Sequence, residues 1–313
     1  MSATTLYQGN FGPVDVNSLP MLYDKTFDKI VELQNKVPKE NIGFVAQRDT
    51  SLESYIEGEV SPELELPFKS EDTEKIRMLS PLFGHTKTIT LQQYRAGIAA
   101  TRSAEKSQKT RMLKQLMQGL PASADRKVEY MIANIFNTGF TVMTGGDGSY
   151  VFASDHTKFD AQQSAWSNLL TGSDFTTAAY FLAWQNAQNR TSERGMPDPH
   201  KVTEVVYPVG LHQKVATVLG SSKVAENALN GINPFERDAK ATVNHYLTDT
   251  DAWFCRLDYG MDREGFLLVW LEHPQYATIS VSDNPEIIWG KRLLMKLAVG
   301  VMHARNWIGN RGP

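Results

Sequence analysis

The pattern of apolar and polar positions changes character several times along the 313 residues. Residues 1–17 are polar, carry Gly9, Gly12 and Pro13, and show no periodic apolar face. Such a segment cannot bury enough surface to order itself, so an arm held by a neighbouring subunit is expected. Ser18 is an N-cap residue type with Pro20 in the following turn. Tyr23, Phe27, Ile30 and Val31 then form one stripe, which predicts a helix to about Lys36, ended by Pro38. Residues 46–100 carry Gly58, Pro62, Pro67 and Pro81, which break any long helix. Alternation appears over Thr86–Leu91 and again near Tyr94, Gly97 and Ile98. The prediction is one long hairpin with little core of its own, marginal in water unless it packs on something.

Residues 103–140 are the most helical part. Met112, Leu113, Leu116 and Met117 form a stripe, Gly119 and Pro121 interrupt it, and Ser123 or Asp125 restarts it. Val128, Met131, Ile132, Ile135, Phe136 and Gly139 continue at helical spacing. Gly145-Gly146-Asp147-Gly148 predicts a tight turn before a short strand at Tyr150-Val151-Phe152. A loop carrying Asp155, His156 and Gly172 leads to a helix capped by Ser173 or Asp174 and ending near Arg194-Gly195-Met196-Pro197. Lys201–Tyr207 reads as a β-branched strand, and Pro208 opens a helix closed by Gly220. Trp253–Leu257 and Phe266–Leu271 are further strands joined through 258–265. Leu293, Met295, Leu297, Val299 and Val301 share one face of a long strand that must pair with something distant in sequence. This order of elements predicts an α+β fold.

Charge adds a local asymmetry. The net charge is only −3, without the overall basic excess of a nucleic-acid binder. Yet Glu53, Glu57, Glu59, Glu63, Glu65, Glu71, Asp72 and Glu74 face Lys69 alone in one segment. Arg102, Lys106, Lys109, Arg111, Lys114, Arg126 and Lys127 outnumber Glu105, Asp125 and Glu129 in another. The two segments are complementary in sign. The predicted contact sets Glu57, Glu59, Glu63 and Glu65 of one subunit against Lys106, Lys109, Arg111 and Lys114 of its neighbour. A solvated helix face and contact with DNA are the other uses of the basic run.

Candidate chemistry is sparse. Cys255 is the single cysteine, so an intramolecular disulfide is impossible and a Cys-based zinc site is not expected. It reads as a small buried residue on a strand. Gly145–Ser149 lacks the Lys-Ser/Thr ending of a phosphate loop. Asp249 and Asp251 lack the Gly and bidentate Glu of a calcium loop, and read as an Asx-type turn. Ser154, Asp155 and His156 are sequence neighbours, which rarely converge on one substrate atom. The histidines show no i, i+4 pair on a helix. No catalytic residue, cofactor or metal is expected. The first residues do not read as a signal peptide, and the longest apolar run, Phe266–Leu271, ends at Glu272, so no membrane span is expected and folding in a reducing cytosol is.

The segment from Gly231 to Leu257 carries a likeness. It reads Gly231-Ile232-Asn233-Pro234-Phe235, then a polar linker, then Asn244-His245-Tyr246-Leu247-Thr248-Asp249-Thr250-Asp251-Ala252-Trp253-Phe254. An Asn-Pro after a helix, followed by a Leu-Thr-Asp-x-Asp-Ala-Trp-Phe entry into a strand, resembles the major head subunit (major capsid protein) of tailed phages. The likeness is closest to the Mu-type branch. Gly148, Phe152 and His156 also resemble the family, where Phe-Ser-x-x-His follows such a turn. The resemblance covers most of the chain from about residue 100, is strongest at 128–156, 173–220 and 231–257, and matches the N-terminal third in texture only. It implies the Hong Kong 97 capsid fold without a catalytic site. It implies an N-terminal arm at 1–45, an extended loop at 46–100, and a peripheral domain with a spine helix at 101–170. An axial domain at 171–272 and a strand at 273–313 returning to the peripheral domain complete that layout. The function so implied is self-assembly into hexamers and pentamers of an icosahedral head around double-stranded DNA. That is a virion protein assembled in the host cytoplasm. Its partners would be further copies, DNA contacted without sequence specificity, and scaffolding, portal and cement proteins. A tail-tube protein, or a hydrolase using His156 and a nearby serine, are the rival readings.

Overall fold

The computed structural model describes residues 19–33, 37–61, 82–101, 110–160, 163–223, 231–258, 265–278 and 287–313. The predicted arm at 1–17, the acidic Glu63 and Glu65, and the basic Lys106 and Lys109 lie outside the described residues. Helices and sheets are mixed along the chain, which divides into two compact units built from discontinuous segments.

The first unit comprises 1–39, 91–129 and 270–297. The stripe read from Tyr23 to Val31 folds as α1 (Leu19–Leu33), with Phe27 and Ile30 buried. Phe27 packs edge-on against Tyr276 at 5.3 Å and lies 6.0 Å from Trp289. The Trp289 indole N–H donates to Asp24 Oδ1 at 2.8 Å, and Lys291 Nζ reaches the same oxygen at 3.0 Å. β4 (Gln92–Thr101) runs antiparallel to β10 (Ile287–Val301), with Tyr94 opposite Met295 and Ile98 opposite Lys291. The long C-terminal strand therefore does pair with a segment far away in sequence. The 92–101 stretch belongs to that pairing and not to the predicted hairpin. β9 (Phe266–Thr278) lies on the other side of β10, and β1 (Ala46–Asp49) belongs to the second unit.

α2 (Thr110–Thr138) is one continuous 29-residue helix with Pro121 inside it, where the sequence predicts a break. An internal proline removes one backbone hydrogen bond and clashes with the preceding turn, a cost of about 3 kcal/mol. Met117, Leu120, Ala122 and Ala124 are buried around it. Burial of a large apolar side chain is worth about 1.5–3 kcal/mol, so two such side chains offset the defect. The Ser123 hydroxyl also donates to the Leu120 carbonyl at 2.6 Å.

The second unit comprises 40–90, 130–269 and 298–313. Its five-stranded sheet has β5 (Leu169–Leu170), β11 (Trp307–Asn310), β8 (Trp253–Leu257), β6 (Val202–Tyr207) and β7 (Lys240–Val243) in that order. α3 (Thr177–Gln188) and α4 (His212–Gly220) supply Tyr180, Ala183, Val215 and Val218 to a core shared with Val205, Tyr207, Trp253, Cys255 and Leu257. Phe254 points to the other side of β8 and meets Phe136, Phe140 and Phe152 at 4.9, 5.8 and 5.0 Å. β8 is thus buried on both faces, with Trp253, Cys255 and Leu257 on one and Phe254 on the other. α3 starts later than predicted because Thr176 is its cap: the Thr176 hydroxyl accepts from Ala179 N–H at 3.1 Å. The stretch after α3 is a turn closed by a bridge between Thr191 and Pro197, not helix. The predicted strand at 150–152 reduces to a single bridge between Thr144 and Tyr150.

Candidate functional site

β2 (Ser54–Ser61) and β3 (Leu82–Thr90) form a two-stranded hairpin with Ile56 opposite Thr88, Glu57 opposite Lys87 and Val60 opposite Phe83. Strand alternation gives it two unlike faces. The outer face is exposed and apolar for its class: Ile56 is 67%, Val60 52% and Phe83 76% accessible. The inner face carries Tyr55, Glu57, Glu59, His85, Lys87 and Ile89, all at least half-buried.

The inner face sits on a polar cluster drawn from four separate stretches of the second unit. Lys87 Nζ donates to the carbonyls of Thr144 and Gly145 at 3.2 and 3.1 Å and to the Thr144 hydroxyl at 3.0 Å. Glu59 faces His303 at 3.6 Å. Glu193 holds two groups at once: one oxygen pairs with Arg305, and the other accepts from Phe159 N–H at 2.8 Å. Gly84 is required here, since a Cβ on it would meet the Phe159 ring at 2.4 Å. Trp166 stacks on His156 at 4.4 Å and lies beneath the Arg305 and Arg190 guanidinium groups at 4.7 and 5.2 Å.

His156 is anchored at both ring nitrogens. Nδ1 lies 2.7 Å from Asp147 Oδ2 and Nε2 3.1 Å from Asn168 Oδ1. Asn168, fully buried, donates to the carbonyls of Val151 and Ala304 and accepts from Ala153 N–H. Burial alone would raise the Asp147 carboxyl. The hydrogen bond and charge of His156, with Ser149 N–H, hold it below the usual carboxylate range. Glu59 goes the other way: burial first, then the nearby Glu193 charge, push it up to about 8 against the pull of Arg305. The space left among these side chains is water-sized, too small for an organic substrate.

Gly148 adopts φ 83° at the Gly-Gly-Asp-Gly turn, as a tight turn requires. The Asp251 N–H donates to Asp249 Oδ1 at 3.0 Å, an Asx turn. Asn233 donates to the carbonyls of Val218 and Ser221, tying the Asn-Pro turn to the end of α4. Cys255 is fully buried, and burial pushes its thiol up. Ser154 and Asp155 are exposed while His156 is buried, so the three do not converge. A hydrolase based on His156 loses the free ring nitrogen it would need. Among the described residues, no group of three or more His, Cys, Asp or Glu is placed to hold a metal ion. Glu57 and Glu59 face their own chain. Arg111 and Lys114 lie on the first turns of α2, and Arg126 is exposed. Lys127 lies over the Tyr94 ring at 4.7 Å. Trp166, Asn168, Glu193, His303 and Arg305 carry no signal in the sequence; only Asp147, in the Gly-rich turn, and His156 lie in segments that its pattern marks.

No family model and no curated protein matches the chain. Solved structures do. A chain of the bacteriophage JBD30 procapsid superposes with a TM-score of 0.52 at 11% identity, over 95% of this chain and 76% of that one. A chain of Mycobacterium phage Patience gives 0.58 at 8% identity, over 100% and 95%. A chain of Microbacterium phage Oxtober96 gives 0.55 at 10% identity, over 90% and 95%. At such identities the likeness is one of fold, and the chain has the fold found in phage capsid and procapsid structures.

Proposed function

We propose that this chain is the major capsid protein of a tailed phage, assembling into the hexamers and pentamers of an icosahedral shell around double-stranded DNA. The observation that carries this reading is the fold likeness to the JBD30 procapsid chain over nearly the whole length. The hairpin adds support, because it offers an exposed apolar face that a lone subunit has no use for. Many weak contacts per subunit add up across a closed symmetric shell. The finer assignments are a Hong Kong 97-type fold of the Mu-type branch, with an arm at 1–45 and an extended loop at 46–100. A spine-bearing domain at 101–170, an axial domain at 171–272 and a returning strand at 273–313 complete them. Its place is the virion, with assembly in the host cytoplasm. Scaffolding, portal and cement proteins are the further partners of that reading.

The charge-complementary contact is retained in narrowed form. Glu57 and Glu59 are engaged within their own chain, so Glu63 and Glu65 are left to meet Lys106, Lys109, Arg111 and Lys114 of a neighbour. Like charges brought together across an interface cost several kcal/mol. Glu63→Lys with Glu65→Lys should therefore lower the yield of fast-sedimenting particles by roughly tenfold or more, each 1.4 kcal/mol being a factor of ten. Normal yield from the double variant would remove this contact, while leaving the capsid reading in place. Salt-dependent DNA binding by isolated capsomers, lost on neutralising Arg111 and Lys114, would instead assign the basic face to the packaged genome. Sedimentation of the purified full chain as closed particles supports the capsid function, and sedimentation only as small oligomers opposes it.

A further inference from the structure

We propose that the polar cluster beneath the hairpin is a proton-operated latch, in which Glu59 seats the hairpin base while it carries a proton and loosens it once ionised. The latch lies within one unit of a single chain and does not rest on the capsid reading. Its geometry is that of a plug. Glu59 is 13% accessible and enters from β2, beside Glu57 on the same strand. His85 and Lys87 enter from β3. From the body, Asp147 and His156 face it across the Gly-rich turn, Glu193 from the turn after α3, and His303 and Arg305 from the stretch before β11. Arg305 is already paired with Glu193, which shares its charge with another carboxylate. Lys87 is spent on the carbonyls of Thr144 and Gly145. An ionised Glu59 would then sit in a buried site with Glu193, Asp147 and Glu57 as like-charged neighbours, and with only His303, 3.6 Å away and a cation only when protonated, left to set against them. A protonated Glu59 has no such conflict and keeps a donor for the pocket.

The rest of the hairpin base is bound without that charge, by Lys87 to the turn, His85 to the Thr157 hydroxyl at 3.3 Å, and Gly84 against the Phe159 ring. Ionising Glu59 therefore loosens the base without unfolding it. In the seated hairpin the carboxyl is held up at about 8, and in the released hairpin it returns toward 4.5. Linkage fixes the sign and the window. The ratio of released to seated hairpin rises by up to about tenfold per pH unit between those two values and levels off above the upper one.

A nitroxide on Phe83→Cys, on the exposed outer face, reads the motion by spin-label mobility in the full chain. Cys255 is buried with its thiol pushed up, so it stays unlabelled. Mobility should rise as pH goes from about 5 to about 8 and then level off. Glu59→Gln, which stays neutral, should abolish most of the rise between about pH 7 and 8, where an unperturbed histidine has already lost most of its charge. Glu57→Gln, which leaves the pocket's own bonds in place, should move the plateau to lower pH. Mobility that is flat between pH 5 and 9 in the otherwise unmodified chain would overturn the latch. So would a Glu59→Gln variant that keeps the full pH dependence.

Discussion

At the scale of single residues, the second unit depends on a few buried polar side chains, Asn168 foremost among them. Asn168 is fully buried and bonds four partners: Ala153 N–H, His156, and the carbonyls of Val151 and Ala304. A buried polar group left without a partner costs about 1–3 kcal/mol. Asn168→Ala strands several, so it should destabilise the unassembled subunit by about 3 kcal/mol, read as a lower urea midpoint at unchanged slope. Asp147 and Glu59 set the pH dependence with opposite signs. The Asp147 carboxyl is held low, so its contribution is present above the unfolded value of 3.8 and is lost as pH falls through the folded value. The Glu59 carboxyl is raised, so its contribution is present below 4.5 and is lost as pH rises to about 8. On these two groups the subunit should be most stable near pH 4 and weaken toward pH 8. Glu59→Gln should flatten that alkaline slope in a series of urea melts, and an unchanged slope would show that another group is responsible.

At the scale of elements, legibility followed length and period. α1 was readable because Tyr23, Phe27, Ile30 and Val31 repeat at helical spacing and are the residues its structure turns inward. β10 was readable because Lys291 to Leu297 alternate in burial as a half-buried strand must. β5, β7 and β11 were not, because two to four residues hold too little pattern to register a period. The predicted hairpin runs too far because Leu91 alone separates β4 from β3, with no turn residue to mark the boundary. Only the partner strand, β10, tells them apart. The break expected at Pro121 was a sound local inference overridden by burial around it. The cluster at the hairpin base was illegible for a different reason. Glu59, Asp147, His156, Glu193 and Arg305 are scattered over the chain, and only the fold brings them together. The hairpin seat itself is testable at Gly84. Gly84→Ala sets a methyl against the Phe159 ring and should shorten amide exchange protection over 82–90 by about tenfold, the effect of roughly 1.4 kcal/mol. Adding Phe159→Ala should restore much of it, because the double change removes the clash.

At the scale of the whole molecule, the fold and the surface point the same way. The chain shares its fold with phage capsid and procapsid structures, while the hairpin presents Ile56, Val60 and Phe83 to the outside. An exposed apolar strand pair invites pairing with other chains unless it is meant to be covered. Self-assembly into a shell is what covers it in the proposed function. Replacing Phe83 and Ile56 by Ser should leave the subunit's own stability within about 0.5 kcal/mol, as for exposed sites, while depressing particle yield. The most direct test of the capsid assignment is negative-stain electron microscopy of the purified full-length protein under assembly conditions. Closed icosahedral particles built of pentamers and hexamers are the predicted result. Tubes, or a uniform population of small oligomers at every concentration tried, would contradict it.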